Sequence, residues 1–393
     1  MTAMVGGCAR LEIDVGLRII VSGYVVRYPL AGNVWAHLQY VIGLARLGND
    51  VWFVEEAGWP ESCYDPEQNR MTSDPAYGVR VLTGLLARHG LAEKWAYRDT
   101  FGEWHGLPGA QVDEVIAGAD LFLDVGGTGY LPQMRYAKRR AYIDMDPAFT
   151  QFRAFGAHAR LHEYDVLFTY GGNIGRPRCR VPTLGFAWTA LRPPVVLDIW
   201  RTSALPPPGA PWTTIANWVA YGSCEYEGET YGQKDVEFMR LGDLPARVAY
   251  PIEVAVAGDD IPSDVLETNG WRLRDSLAVS RDPWDYRDYL HASRGEFSVA
   301  KHGYVTTRCG WFSDRTATYL ASGRPAVVQD TGIGEDLPVG NGLLLFRTAD
   351  EAAAALDTIE ADYEAHVRAA RVIAERHFDS DKVLAGLLAA CIV

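Results

Sequence analysis

The chain has 393 residues, with 37 Lys and Arg against 50 Asp and Glu, a formal charge of -13. Two or three domains are expected at this length, each large enough for its own core. The acid excess and the absence of long Lys/Arg runs argue against a nucleic-acid partner, because phosphate backbones are held by clustered cations, and favour a neutral or locally steered small molecule.

Leu17 to Gly23 (LRIIVSG) is a β-branched apolar run ended by glycine, the pattern of a buried parallel strand. After the loop YVVRYPLAGN, Val34 to Leu47 repeats apolar residues at helical spacing and stops at Gly48, and Asp50 to Val54 is the next strand. This is one β-α-β unit. Its loop lacks G-x-G-x-x-G, so the dinucleotide fingerprint is missing, and Glu55 and Glu56 read as a solvated strand end. Residues 57–118 are long, Trp-rich and irregular, with one helical patch at Val79 to His89, and read as a cleft wall or lid. Three strands follow, Asp120 to Val125, Ala141 to Asp146 and Asp165 to Tyr170, each ending in a polar or Gly-rich loop: Gly126-Gly127-Thr128-Gly129, Asp146-Pro147 and Gly171-Gly172-Asn173. Ligands of open parallel sheets gather at such strand ends, so these loops are expected to face one cleft.

Pro206-Pro207-Pro208-Gly209 reads as a semi-rigid connector. Beyond it the alternation restarts, with strands at Thr213 to Ala216, Ile252 to Ala257, Trp271 to Leu273, Phe297 to Ala300, Ala326 to Gln329 and Leu343 to Phe346. Helical patches fall at Lys234 to Arg240, Pro262 to Leu266, Trp284 to Ala292 and Asp314 to Ala321, and the tail, Ala349 to His377 and Asp379 to Ala390, is helical in composition. Strands alternating with helices give a second α/β domain. Its centre is Lys301 to Gly332, read as strand end, loop, helix, glycine stop and strand. The helix opened by Ser313 presents unpaired N–H groups, which suit a diphosphate.

No apolar stretch reaches the ~20 residues of a membrane span, and the opening MTAMVGGCARLEIDVG lacks the apolar middle of a signal peptide, so a cytoplasmic location is expected. Cys8, Cys63, Cys179, Cys224, Cys309 and Cys391 have no metal-ligand spacing and read as reduced structural thiols.

Two α/β halves, the proline-marked boundary, the step G-R-P-A-V-V-Q-D and the ending N-G-L-L-L-F followed by T-A-D-E-A-A-A-A-L resemble glycosyltransferases of the two-Rossmann-domain type, called GT-B. The resemblance implies two Rossmann-type domains facing a deep cleft, with C-terminal helices crossing back to the first. It places acceptor binding in residues 1–208, joined by the last helix at about 376–393, and nucleotide-sugar binding in residues 209–375. It implies sugar transfer from a nucleotide diphosphate, with no resident cofactor. Many retaining members carry a spaced pair of glutamates before the G-R-P-A-V-V-Q-D step; the positions read as equivalent here are Trp311 and Thr318, neither of them acidic. Either Ser313, Asp314 and Arg315 serve instead, or transfer has been lost.

The donor-side candidates are Lys234, His302, Ser313, Asp314, Arg315, Asp330, Thr331 and Gly332. Arg315, as a planar fork, and Lys234, as a point charge, would stabilise a departing diphosphate, against the alternative of surface ion pairs. Asp314 would repel a phosphate and reads better as a helix-dipole partner or as the residue that orients Arg315. His302 is either a ligand or a satisfied core histidine, and Asp330-Thr331-Gly332 either binds donor hydroxyls or is a plain turn. On the acceptor side stand Gly32, Asn33, Asp124, Gly127 and Thr128. His37 is the candidate base for an acceptor hydroxyl, with Asp124, Asp144 and Asp146 as rivals. Asp144-Met145-Asp146 also has the D-x-D form of a metal-diphosphate site, but it is short and falls in the acceptor half, so no divalent metal is expected.

The Trp- and Tyr-rich first half points to a small, apolar or aromatic acceptor and to a bacterial secondary-metabolite setting. The alternatives are a transferase-like scaffold that binds a pathway intermediate and a nucleotide-sugar epimerase of the same architecture. Oligomeric state is not legible.

Overall fold

The computed structural model describes residues 16–129, 131–153, 160–202 and 204–392. The opening segment and Cys8 read above lie outside the described residues. An eight-stranded sheet comprises β1 (Arg18–Ser22), β2 (Asp50–Glu56), β3 (Trp95–Arg98), β4 (Trp104–Gly106), β5 (Leu121–Val125), β6 (Arg139–Asp144), β7 (Val166–Thr169) and β8 (Trp188–Ala190). Their spatial order is β8-β7-β6-β5-β1-β2-β3-β4, parallel except for the antiparallel edge pair β3/β4. A six-stranded parallel sheet follows from β9 (Trp212–Asn217), β10 (Ile252–Ala257), β11 (Arg272–Asp275), β12 (Gly295–Ser298), β13 (Ala326–Gln329) and β14 (Leu343–Phe346), ordered β11-β10-β9-β12-β13-β14. In each sheet the first strand is central, the next strands (three in the first sheet, two in the second) lie to one side, and later strands lie to the other. That is the doubly wound Rossmann order.

The helices used below are α1 (Ala31–Arg46), α2 (Lys234–Met239), α3 (Pro283–Ala292), α4 (His302–Thr307), α5 (Asp314–Ala321), α6 (Ala349–Ala361), α7 (Tyr363–His377) and α8 (Ser380–Cys391). Among the described residues no helix is long and apolar enough to cross a membrane. The buried strands are close to continuous Val, Ile, Leu and Phe, because both faces of a parallel sheet are covered.

The segment 57–118 differs from its irregular reading: it supplies β3, β4 and the helices Ala76–Arg88 and Gly109–Ala117. Trp95-Ala96-Tyr97-Arg98 is too short to show a period, and only pairing with β2 makes it a strand. The stretch after β12 is not all loop either; α4 occupies it and ends at Arg308 in the left-handed conformation, φ 51°. The tail read as one helix from Ala349 to His377 breaks at Asp362, whose carboxylate caps α7.

One hydrophobic core runs through both halves. It joins Ile19, Trp35 and Val41 to Tyr286, Phe312, Leu320, Ile373 and Leu384. Trp35 packs edge-on against Trp200 and Trp284, each at 5.4 Å, and its indole N–H donates to the Pro283 carbonyl at 2.9 Å. The last helix crosses back as the resemblance implied. The Val195 amide donates to the Phe378 carbonyl and the Ser380 amide to the Val195 carbonyl, and α8 lies against α1. Gly43 permits this approach, since a Cβ there would lie 2.5 Å from Leu384 Cδ1.

Candidate functional site

In a doubly wound sheet a crevice opens where neighbouring strands send their connections to opposite sides. In the first sheet that point lies between β1 and β5, followed by Tyr24 and Thr128; in the second it lies between β9 and β12, followed by Lys301. The two crevices face one another across a cavity of about 680 Å3 lined from both halves. Tyr24, Arg27, Tyr28, Trp59 and Thr128 line one side, and Lys234, Tyr286, Lys301, Asp314 and Arg315 the other.

Lys234 is the first residue of α2 and only 9% exposed. Among the described residues no hydrogen bond or ion pair engages its ammonium group. Burial, and then the neighbouring charges of Arg315 and Lys301, hold its pKa well below the ordinary lysine value. A cation removed from water without a partner is costly. An anion placed against it would restore its charge.

Arg315 also faces the cavity, but its fork is committed. Nε donates to the buried Glu296 carboxylate at 2.7 Å, one terminal nitrogen to the Ile215 carbonyl, and the other to Ser298 Oγ at 2.8 Å. Burial opposes its charge, yet Glu296 outweighs burial and the pKa is raised. Ser313 stands at the N-cap of α5 without capping through its side chain, and Asp314 occupies the first turn, where burial pushes its pKa up.

The other donor candidates lie away from the cavity lining. His302 Nδ1 is 2.6 Å from the carboxylate of Glu237, which also accepts from Gln329. Asp330 accepts from Arg347 at 2.7 Å, the Thr331 hydroxyl donates to the Trp311 carbonyl, and the Gly332 carbonyl accepts from Asn173. The Gly171-Gly172-Asn173 loop therefore faces the second half, as its position at a strand end requires, and is used there as a brace.

The candidate bases divide in the same way. His37 is 0% exposed, its two ring nitrogens lie 2.8 and 3.3 Å from the carbonyls of Asn33 and Val125, and burial lowers its pKa to about 4. Its ring packs where Gly23 has no side chain, with 2.2 Å from Cδ2 to a Cβ built there. Both nitrogens being turned to the backbone, it has no face toward the cavity. Asp144 is buried and accepts from the hydroxyls of Thr150 and Thr169 and from Gln151, and burial raises its pKa to about 6. Asp124 likewise accepts from the Thr128 and Gly129 amides and the Tyr164 hydroxyl, again with a pKa raised by burial to about 6. These two carboxylates shape the strand-end loops. Gly127 brings its backbone against Tyr142 at φ 69°.

Asp146 does reach the cavity, bound by Lys301 at 2.9 and 3.1 Å and by the hydroxyls of Tyr221 and Tyr304. It ties the end of β6 to the second half. The two D-x-D carboxylates thus serve different partners. Gly32 and Asn33 also line the cavity, where Asn33 Nδ2 holds the β1–α1 loop through the carbonyls of Tyr24 and Tyr28 at 2.8 Å each.

Lys301, Tyr24, Tyr28, Tyr221 and Tyr286 were not singled out from the sequence. Lys301 is the first polar residue after β12, one position before the histidine selected above. Strand-end position was the available signal, but side-chain direction decided between them. The five described cysteines are free thiols, and burial raises the pKa of Cys309, as suits a structural residue.

No protein-family model matches the sequence, and no curated protein matches it. Solved structures do match. An alpha-glucosyltransferase in complex with UDP-glucose and DNA containing an abasic site aligns at 10% identity with TM-score 0.57, over 95% of this chain and 99% of that one. Anabaena HepE in complex with UDP and glucose aligns at 13% identity, TM-score 0.54, over 95% and 100%. Sucrose-phosphate synthase from Thermosynechococcus elongatus aligns at 11% identity, TM-score 0.52, over 95% and 98%. At these identities the likeness is one of fold: two Rossmann-type halves in the GT-B arrangement, spanning nearly the whole of each chain.

Proposed function

We propose that the protein is a glycosyltransferase that moves a sugar from a nucleoside-diphosphate donor of the UDP-glucose kind to a small acceptor. The observation that carries this reading is Lys234, an ammonium that no hydrogen bond or ion pair engages among the described residues, in the wall of a cavity between two Rossmann-type sheets. The likeness in fold to glycosyltransferases bound to UDP or UDP-glucose supports it.

In this reading the donor diphosphate lies between Lys234 and the first turn of α5, whose N–H groups favour negative charge. Arg315, fixed by Glu296, adds positive potential from behind. The acceptor hydroxyl oxygen bonds to the anomeric carbon as the bond from that carbon to the phosphate oxygen breaks. The electron pair leaves with the nucleoside diphosphate, and Lys234 is placed to stabilise the charge that develops there. The hydroxyl proton passes toward Asp314 or Asp146, the two carboxylates that line the cavity. The Asp144 and Asp146 carboxylates are held by different partners, which supports charge balance by side chains rather than by a divalent ion. The aromatic wall of Tyr24, Tyr28 and Trp59 supports a small biosynthetic acceptor.

Thermal unfolding with UDP, UDP-glucose and other nucleoside diphosphates tests the reading, since a ligand that binds only the native state at about 100 times its Kd adds about 2.7 kcal/mol. Stabilisation followed by sugar transfer to a hydroxyl acceptor is the expected result. No shift with any nucleotide at saturating concentration overturns it and favours the scaffold alternative.

A further inference from the structure

Among the described residues two carboxylates line the cavity, Asp146 and Asp314, and their surroundings differ. Each oxygen of Asp146 accepts twice: Oδ1 from Lys301 at 2.9 Å and from the Tyr304 hydroxyl, Oδ2 from Lys301 at 3.1 Å and from the Tyr221 hydroxyl. A carboxylate offers about four acceptor positions, so Asp146 has none left for a ligand hydroxyl. Asp314, the first residue of α5, leans on the start of its own helix: the Arg315 amide and its own amide donate to it, and Ser313 Oγ lies 3.5 Å from Oδ1. Among the described residues no side-chain cation is ion-paired with it, because Arg315 spends its fork on Glu296, Ile215 and Ser298. About half of its acceptor positions are left for the cavity it lines.

Asp314 also stands where the two halves meet. Its charge is felt by Tyr24, Tyr40 and Tyr170 of the first half and by Lys234 and Tyr286 of the second. It therefore borders both the crevice that would receive an acceptor and the one assigned to the donor. Rival bases are withdrawn. Burial pushes Tyr24 up to about 12 and holds Tyr28, Tyr221, Tyr286 and Tyr304 above the ordinary phenol value, so no phenolate is present at neutral pH. Lys234 regains its proton once a diphosphate lies against it, and an ammonium accepts nothing. Burial, partly offset by the Arg315 charge, raises Asp314 above the ordinary aspartate value, which makes it a stronger base than an exposed carboxylate.

Resting on the transferase reading above, we propose that Asp314 is the general base of the reaction and that Asp146 is not. The acceptor oxygen bonds to the anomeric carbon as its proton passes to the Asp314 carboxylate. The bond from that carbon to the phosphate oxygen breaks, and its electron pair leaves on the nucleoside diphosphate. The protonated carboxyl returns its proton to solvent after the products depart. His37, Asp144 and Asp146, the bases expected from the sequence, are all engaged by protein groups. Asp314, read there as a helix-dipole partner, keeps acceptor positions that its own helix does not use.

UDP release from UDP-glucose by the full chain, with water, simple alcohols, phenols and methyl glycosides as attacking hydroxyls, tests the proposal alongside UDP affinity by calorimetry. Asp314→Asn keeps an oxygen for the two helix amides, so a helix-dipole role alone predicts turnover near that of the wild type. A fall in turnover of about 100-fold or more is expected instead, deeper than that of Asp146→Asn, with UDP affinity changed by less than about 3-fold. Formate, a carboxylate small enough for the vacated space, is expected to restore turnover to Asp314→Ala. A smaller fall in Asp314→Asn, a deeper one in Asp146→Asn, a loss of UDP affinity that matches the loss of turnover, or no restoration by formate overturns the proposal and leaves the transferase reading standing. UDP binding without UDP release in the wild type overturns the proposal and favours the scaffold alternative. Absence of UDP binding in the wild type overturns both readings.

Discussion

The two sheets have the same strand order and bring the same kind of crevice to the cavity, yet they treat buried charge in opposite ways. In the first sheet Glu55, Asp124 and Asp144 are all fully buried and all satisfied: backbone amides, hydroxyls and an amide side chain hold them, and burial raises their pKa values to about 7, 6 and 6. In the second, Glu296 is paired with Arg315 through one oxygen while its other oxygen has no hydrogen-bond partner among the described residues, and no described group hydrogen-bonds or ion-pairs the buried Lys234 ammonium. A satisfied buried charge holds loops in place. An unsatisfied one raises the energy of the unliganded protein and is a place where binding energy can be recovered.

The sharpest test of that contrast is Arg315→Ala. It strips Glu296 of its cation and leaves an uncompensated buried carboxylate, so a loss of about 3–5 kcal/mol in denaturant unfolding is expected. A nearly unchanged stability would show that Arg315 is held for ligand rather than for Glu296.

Lys234→Met is expected to behave in the opposite sense. Nucleotide affinity falls about 10- to 100-fold, the loss of one charge-assisted contact, by calorimetry. Stability of the unliganded protein does not fall. The pH dependence follows the same logic: with a folded pKa below the unfolded one, the unfolded state binds more protons, so wild-type stability rises with pH as the ordinary lysine value is approached from below. That rise is absent in the variant. Stability lower in the variant than in the wild type at neutral pH would mean that Lys234 is structural.

The acids of the first sheet give a slope of the other sign. Asp124 is raised from 3.8 to about 6, so the native state binds more protons in that window and stability falls as pH rises from about 4 to about 6, by about 1–3 kcal/mol. Asp124→Asn keeps an acceptor for the Thr128 and Gly129 amides and a donor for the Tyr164 oxygen. Its denaturation midpoint is expected to be flatter across that range. An unchanged slope would assign the dependence to Glu55 and Asp144.

The smallest effect belongs to Asp146→Asn. The Lys301 pair is partly open to solvent, with side-chain exposures of 14% and 32%, so about 1 kcal/mol or less is expected, shrinking with added salt. A larger, salt-insensitive loss would make this contact a principal tie between the halves.

Much of the fold was legible from local pattern. The strands at Ile252–Ala257, Ala326–Gln329 and Leu343–Phe346 and the helix at Asp314–Ala321 stand where apolar runs and glycine stops placed them, because burial on both faces writes a continuous apolar run into the sequence. The pieces that escaped, β3, β4, β8 and α4, are three to six residues long. Elements this short owe their existence to neighbours in the sheet or to capping, not to their own periodicity.

The candidate site was legible to a lesser degree. Ser313, Asp314, Arg315 and Lys234 line the cavity together with Gly32, Asn33, Thr128 and Asp146. Asp124, Asp144, His302 and Asp330 sit at strand ends or in the first turn of a helix just as those do, and His37 lies one turn further into α1, but their side chains turn into the protein. Residue type and strand-end position select candidates without fixing direction, and adjacent positions such as Lys301 and His302 point to different partners.

The sequence by itself determined the two α/β halves and their order, because helix and strand periods and the Pro206-Pro207-Pro208 connector are local properties. Tertiary structure alone decided which charges are spent inside the protein and which are left for a ligand. Glu296 lies 19 residues from Arg315 and Asp146 lies 155 residues from Lys301. Whether a charge is paired depends on groups that only folding brings within hydrogen-bond reach.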